Sequence, residues 1–246
     1  MSTDTTGFSA AIDATGKRVL TFDCYGTLID WETGILAVTR PWLAAAGRAE
    51  IPDDLVLSAF ALHQARHQQV RPALLYTEVM SRSWADIQAT FGLPEDAGQC
   101  AAFAASCGDW PPFADTVAAL RRLSARFALV ILSNVDDASL ARSLRLLEVP
   151  FLLTVTAERV GSYKPGLPHF ETAIADLAAR GFAKAEILHV AQSRHHDVDP
   201  AARIGIPTVW VNRRHGRRGT GATIANTAIP FAQVPSLAAL ADALAL

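Results

Sequence analysis

VLTFDCYGT, residues 19–27, runs from four apolar or β-branched residues straight into a carboxylate and a glycine-containing turn. Four residues are too few for a helix. Val19 to Phe22 also lacks the alternation of a sheet with one wet face, so the run predicts a buried strand. Four more such runs follow, at Ala128 to Leu132, Leu152 to Val155, Ile187 to Val190 and Thr208 to Val211. Helical patterns separate the later four, at Ser139 to Leu147, His169 to Ala179 and Asp199 to Arg203. Short apolar strands alternating with helices make a parallel sheet covered on both faces, so the fold class is α/β, doubly wound.

The interval between the first two strands is out of proportion. About 100 residues stand there, whereas a crossover needs only a dozen or more. Within it Ile35 to Ala46, Asp53 to Gln69, Leu75 to Phe91 and Ala97 to Ala105 have helical spacing, with no convincing strand. The prolines of Gly108-Asp109-Trp110-Pro111-Pro112 disfavour further helix and mark the return, followed by a helix from Ala114 to Ala125. The expected division is a core of residues 1–33 and 112–246, interrupted by a helical domain of residues 34–111.

Composition narrows the function. Half of the 246 residues are apolar, which suffices for a sizeable core, and 22 Lys and Arg against 24 Asp and Glu leave a formal net charge of −2. That argues against disorder and against a nucleic-acid partner, whose phosphates demand a basic excess. Three cysteines are too few for a disulfide scaffold. The polar N-terminal stretch does not read as a signal peptide, and no apolar run reaches about 18 residues, so a cytoplasmic protein with no membrane partner is expected. The run from Arg213 to Gly221, four arginines among glycines, reads as a solvated loop rather than an anion contact.

In a parallel sheet, ligands bind outside the carboxyl ends of the strands. Those positions hold Asp23 and Thr27 after the first strand, Ser133 and Asn134 after the second, Lys164 on the loop after the third, and Gln192, Ser193 and Asp197 after the fourth. A single Asp at a strand end is commonly a cap, but a full set on one edge suits nucleophilic catalysis by a carboxylate. Asp23 is the candidate nucleophile, on a turn made possible by Gly26, with Thr27 holding an oxygen of Asp23 or of the substrate. Lys164 would keep Asp23 ionised. Ser133 and Asn134 would donate to an anionic group, and Asp197 would orient water or hold a cation. Cys24 is expected to be a buried, inert thiol.

TFDCYGTLID, ILSN, the YKP after Gly161-Ser162, and HDVDPAARIGIPTVWVNR resemble, in order, the four motifs of the haloacid dehalogenase (HAD) superfamily. The resemblance covers nearly all of the chain outside the insert, and it implies a Rossmann-like core with an inserted helical cap. Most superfamily members are Mg-dependent phosphatases whose first motif has a second Asp two residues after the nucleophile, to protonate the leaving oxygen. Here that position is Tyr25. A halide leaves as a stable anion and needs no proton, so Asp-x-Tyr-Gly-Thr is similar to the L-2-haloacid dehalogenases.

That resemblance implies attack of Asp23 on C2 of a short 2-haloalkanoate, an ester on Asp23, and its hydrolysis to a 2-hydroxy acid by water near Asp197 and Lys164. The substrate carboxylate would rest on Ser133 and on backbone N–H groups after Tyr25. No cofactor or metal would be needed, Mg entering only under the phosphatase alternative; the partner is a small anionic substrate, and homodimers are common in the family. The Ser and Asn usual in the fourth motif fall on Gln192 and Arg194, the aromatic before the Asp is His196, and a Tyr frequent after the Lys is Phe170. His196 is either a polar group beside halide or water or a satisfied core histidine, and Arg194 and His195 are expected to face solvent. In the family a cap Arg holds the halide, for which Arg66 and Arg71 are candidates, with His63 and His67 nearby. Tyr76 and Trp84 are expected in the core of the insert.

Overall fold

A computed structural model describes residues 7–246; the first six residues, and with them the beginning of the polar N-terminal stretch and of the 1–33 segment, lie outside it. Six parallel strands form one sheet in the order β3-β2-β1-β4-β5-β6. They are β1 (Val19–Phe22), β2 (Ala128–Ser133), β3 (Leu153–Thr156), β4 (Ile187–Ala191), β5 (Thr208–Val211) and β6 (Ala232–Val234). Between β1 and β2 stand four helices, α1 (Trp31–Ala45), α2 (Asp53–Gln68), α3 (Tyr76–Phe91) and α4 (Ala97–Ser106). The remainder are α5 (Thr116–Ser124), α6 (Asp137–Leu147), α7 (Ala157–Val160), α8 (Pro168–Ala178), α9 (Asp199–Arg203) and α10 (Leu237–Ala243). No helix among the described residues is long and apolar enough to cross a membrane.

Both faces of the sheet are dry, as the unbroken apolar strands require. On one face Val19, Val130, Leu132 and Val155 pack with Phe170, Ala173 and Leu177 of α8. On the other, Leu20, Phe22, Leu129 and Ile131 join Leu120 and Leu123 of α5, Leu140 of α6 and Leu240 of α10 in a cluster that continues into the inserted helices through Leu28, Ile35, Phe60, Trp84 and Phe103. Burying one Leu or Phe side chain in such a cluster contributes about 1.5–3 kcal/mol. Trp84 is wholly buried, as expected.

The edge strand β6 and the helix α10 lie beyond the five expected strands. Ala232-Gln233-Val234 is three residues long, too short to carry a period, and becomes a strand by pairing with β5. α1 begins four residues before the expected Ile35 because the Asp30 carboxylate accepts a hydrogen bond from the Thr33 N–H at 3.2 Å, capping the helix upstream of its apolar stripe.

Candidate active site

Register brings the strand ends to one edge. Phe22 of β1 lies beside Ile131 of β2 and Val190 of β4, so Asp23, Ser133 and Gln192 emerge together. After Asp23 the chain folds back within five residues, the N–H groups of Leu28 and Ile29 both donating to the Cys24 carbonyl at 2.7 and 3.0 Å. Gly26 makes this possible. Its φ is +90°, and a Cβ there would stand 2.9 Å from the Trp31 indole nitrogen.

The centre is a buried ionic chain. Lys164 Nζ donates to Asp23 Oδ1 at 2.9 Å, to Asp197 Oδ1 at 2.6 Å and to the Leu132 carbonyl at 2.8 Å. Thr27 Oγ1 donates to Asp23 Oδ2 at 2.8 Å, so of its two expected roles it holds the carboxylate. One ammonium between two carboxylates cannot serve both equally. Burial pushes Asp23 above the usual carboxylate range, with Asp197 adding to the rise and Lys164 and Thr27 opposing it. Asp197 is held well below that range, since Lys164 and His189 together overcome its own burial. Asp23 therefore takes up the first proton as pH falls. Burial works against the Lys164 charge too, but the two carboxylates outweigh it and raise the ammonium pKa.

Asp197 sits on a π-helical turn, Arg194–Val198, capped by Ser193, whose Oγ accepts from the His196 N–H at 3.0 Å. The inserted residue of a π turn lets the chain hold Asp197 under the sheet edge, and such turns are frequent at functional sites. His189, missed in the sequence reading, meets Asp197 Oδ1 through Nε2 at 3.1 Å and Thr21 Oγ1 through Nδ1 at 2.8 Å. The available signal was a histidine in the middle of the apolar run Ile187 to Ala191.

Above this edge is a cavity of about 30 Å³, roughly two water molecules in size. Asp23, Ser133, Lys164, Gln192, His196 and Asp197 line it from the sheet side. Two buried oxygens, Ser133 Oγ and Asp197 Oδ2, have no partner among the described residues. A hydroxyl free to donate beside a carboxylate free to accept is an arrangement that can receive an anion and activate water.

A family model described as a haloacid dehalogenase-like hydrolase matches residues 17–205. The chain belongs to that family. No curated protein matches this haloacid dehalogenase-like hydrolase, but many solved structures share its fold. One is a dehalogenase with an intermediate complex, 23% identical, with a TM-score of 0.77 over 94% of this chain and 98% of that one. Another is the L-2-haloacid dehalogenase of Xanthobacter autotrophicus with chloropropionic acid covalently bound, 21% identical, TM-score 0.73, covering 92% of this chain and 97% of that one. A HAD-hydrolase of Bacillus subtilis bound to magnesium is 16% identical with a TM-score of 0.75, covering 94% and 99%. At these identities the likeness establishes the fold.

Several expectations for the hydrolase need correction. Asn134 lines the cavity, but most of its side-chain amide is engaged by the main chain of Lys164. Its Oδ1 accepts from the Lys164 N–H at 2.7 Å and its Nδ2 donates to the Lys164 carbonyl at 3.1 Å, so it clamps the main chain that carries the lysine. Tyr25 presents its ring to the cavity while its hydroxyl is turned into the core, 2.7 Å from Ser143 Oγ. Burial pushes that phenol well above its ordinary range.

The cap arginines are elsewhere. Arg66 is exposed, and the exposed Arg71 donates to the carbonyls of Gln68 and Val70 at 3.0 and 2.8 Å. The helical phase of α2 explains this, since the face toward the cavity carries Gln64 and Gln68, one turn apart, and His63 and His67 turn to Asp86 of α3. Tyr76 is not simply core: it lines the cavity, and its hydroxyl donates to Gln64 Oε1 at 2.6 Å. Gln64 and Gln68, at i and i+4, put two amides on one face of α2, a spacing visible in the sequence that does not by itself say which face turns to the cavity. The neutral imidazole of His196 lies beside the cavity with Nδ1 3.1 Å from Ser193 Oγ, burial holding its pKa at about 3. Phe170 is in the core, edge-on to His189 at 5.2 Å. The Cys24 thiol is wholly buried and pushed well above its usual pKa by that burial.

The arginine loop is not simply solvated. Arg213 donates to the Thr27 carbonyl through Nε and Nη2 at 3.1 and 2.9 Å, pairs with Asp115 at 2.7 Å and covers the Phe113 ring. Arg214 reaches Glu32 and Asp54 in the inserted helices. Arg194, expected in solvent, lies 3.8 Å over the Trp210 ring with a buried Nε.

Proposed function

We propose that this hydrolase removes halide from short 2-haloalkanoic acids of haloacetate size, through an ester on Asp23, with helices α1–α4 acting as a cap over the site. The observation that carries this reading is the Tyr25 hydroxyl, bound to Ser143 and turned from the cavity, at the position where a phosphatase needs a proton donor. An Asp23 oxygen attacks C2, the carbon–halogen bond breaks with its electron pair on the halide, and C2 inverts. Water then adds to the Asp23 carbonyl carbon and loses a proton toward Asp197 Oδ2. The acyl–oxygen bond breaks with its electron pair on the alkoxide oxygen, which takes the proton held on Asp197 and leaves as the 2-hydroxy acid. The remaining proton of the added water is lost to solvent as the Asp23 carboxylate is restored. Ser133 Oγ is the donor for the substrate carboxylate. The leaving halide meets the neutral side chains of Gln64, Gln68 and Trp31 instead of a cap arginine, and Lys164 supplies the positive charge beside the nucleophile.

The test is halide release from chloroacetate, bromoacetate and fluoroacetate without added metal, with intact-protein mass measured in an Asp197→Asn variant during turnover. Halide from at least one acid, lost in Asp23→Asn, supports the reading. No halide from any of them, with no acyl adduct on Asp23, overturns it. A second reading, a Mg-dependent phosphatase, is favoured by the unpartnered Asp197 Oδ2, an oxygen of the kind that ligates Mg²⁺. It requires Mg-dependent hydrolysis of an aryl phosphate that disappears in Asp23→Asn.

A further inference from the structure

A second and larger pocket, about 320 Å³, lies behind Gln192 on the side away from the catalytic cavity, between β5 and the arginine loop. Its wall includes Arg194, Arg217, His215 and Asn212, with Trp210 and Ile224 as the apolar side, and it contains no carboxylate. Arg214 also borders it but is neutralised by Glu32 and Asp54. Arg194 and Arg217 have no ion pair and no side-chain hydrogen bond among the described residues, and Arg194 Nε is buried without a partner. In a chain of net charge −2, this concavity gathers two guanidinium groups without a counter-charge, Arg194 stacked over Trp210 with its Nε buried and unpartnered and Arg217 exposed at the rim, and so presents a local positive field to an anion.

We propose that this pocket binds a small organic phosphate, its dianionic group between Arg194 and Arg217 and its carbon portion against Trp210 and Ile224. Two guanidinium forks match a group with several oxygens and two charges, whereas a monocarboxylate needs one. The volume exceeds what phosphate alone occupies and falls at the lower end of small-molecule sites. The pocket also touches the chemistry. Trp210 Nε1 donates to the Gln192 carbonyl at 2.7 Å, and Thr223 Oγ1 donates to Gln192 Oε1 at 3.0 Å. The Gln192 N–H in turn donates to Thr27 Oγ1 at 2.9 Å, and Thr27 holds Asp23.

Tryptophan indole signals separate the two cavities, because Trp210 borders the second pocket and Trp31 the catalytic one. Inorganic phosphate and glycerol phosphate are titrated against 15N-labelled protein at constant ionic strength set with chloride, the two indole resonances being assigned with Trp210→Phe and Trp31→Phe. The expected result is a saturable shift of Trp210 with Trp31 unmoved, and a loss of affinity of about tenfold in Arg194→Met and in Arg217→Ala. Arg217→Ala removes only a side chain with no partner in the fold, so it remains readable if Arg194→Met disturbs the Trp210 packing. Tighter binding of glycerol phosphate than of inorganic phosphate supports the organic ligand. Equal binding of the two, a shift of Trp31 alone, an unmoved Trp210, or a Trp210 shift indifferent to both variants overturns the proposal.

Discussion

The sheet edge and the wall of inserted helices face each other across the same small cavity, and they are built on opposite principles. At the sheet edge Asp23, Lys164 and Asp197 are charged, buried and tied at 2.6–2.9 Å, and each is held by a partner in turn: Thr27, Asn134 or His189. Across from them Gln64, Gln68, Trp31 and Tyr76 are neutral. The difference teaches that buried charge belongs to the part of the molecule with a rigid register, while the part reached through long connections supplies shape and neutral donors. Charges so buried would be ruinous on an element able to shift, because each must keep its partner.

The sharpest way to break that contrast is to remove the proposed nucleophile: Asp23→Ala should lower halide release by about 10⁴-fold or more, with the fold retained by circular dichroism. Lys164→Met should come next. It leaves Asp23 and Asp197 facing each other without the ammonium, and chemical denaturation should show a loss of about 3–5 kcal/mol alongside greatly reduced turnover. If Lys164→Met were as stable as the parent, the buried ionic chain would not be holding the edge together.

The pH profile probes the same edge more gently. Asp23 must be ionised to attack, and its pKa is raised by burial, so kcat/KM should climb with pH through a limb above the ordinary carboxylate range. Thr27 opposes that rise, so Thr27→Val should move the limb to higher pH; a shift to lower pH would contradict the hydrogen bond to Asp23 Oδ2. On the opposite wall, Gln64→Ala and Gln68→Ala should raise KM for chloroacetate by about tenfold or less with a smaller effect on the fold, as expected for single neutral donors. The smallest effects should come from Arg66→Ala and Arg71→Ala, which leave halide release and KM unchanged within error because both side chains lie outside the cavity.

Legibility in the sequence follows the same division. Val19 to Phe22 and Thr208 to Val211 could be read to the residue, since an apolar run between polar breaks has only one way to be buried in a parallel sheet. Asp23, Thr27, Ser133, Lys164 and Asp197 could be read because they directly follow such runs or sit on the loops just beyond them. Asn134 was placed correctly in space, but its clamp on the Lys164 main chain was not legible, because a side-chain amide can serve a ligand, a neighbouring peptide or both, and only the tertiary fold brings the Lys164 peptide to it. The cap arginines failed for a different reason. α2 carries polar residues nearly all round, so its composition did not tell which face turns inward, and the packing against α3 chose Gln64 and Gln68.

The order of residues along this chain was enough to specify the sheet, the insertion after its first strand and the gathering of Asp23, Lys164 and Asp197 at its edge. Those depend on local burial patterns and on the rule that strand ends of one polarity meet on one side. The identity of the cap wall, the His189 support of Asp197, the Arg213 grip on the Thr27 carbonyl and the unpaired arginines behind Gln192 came only with packing. Each joins residues more than a turn or a strand apart, and the free energy that selects such a contact depends on every other element competing for the same space.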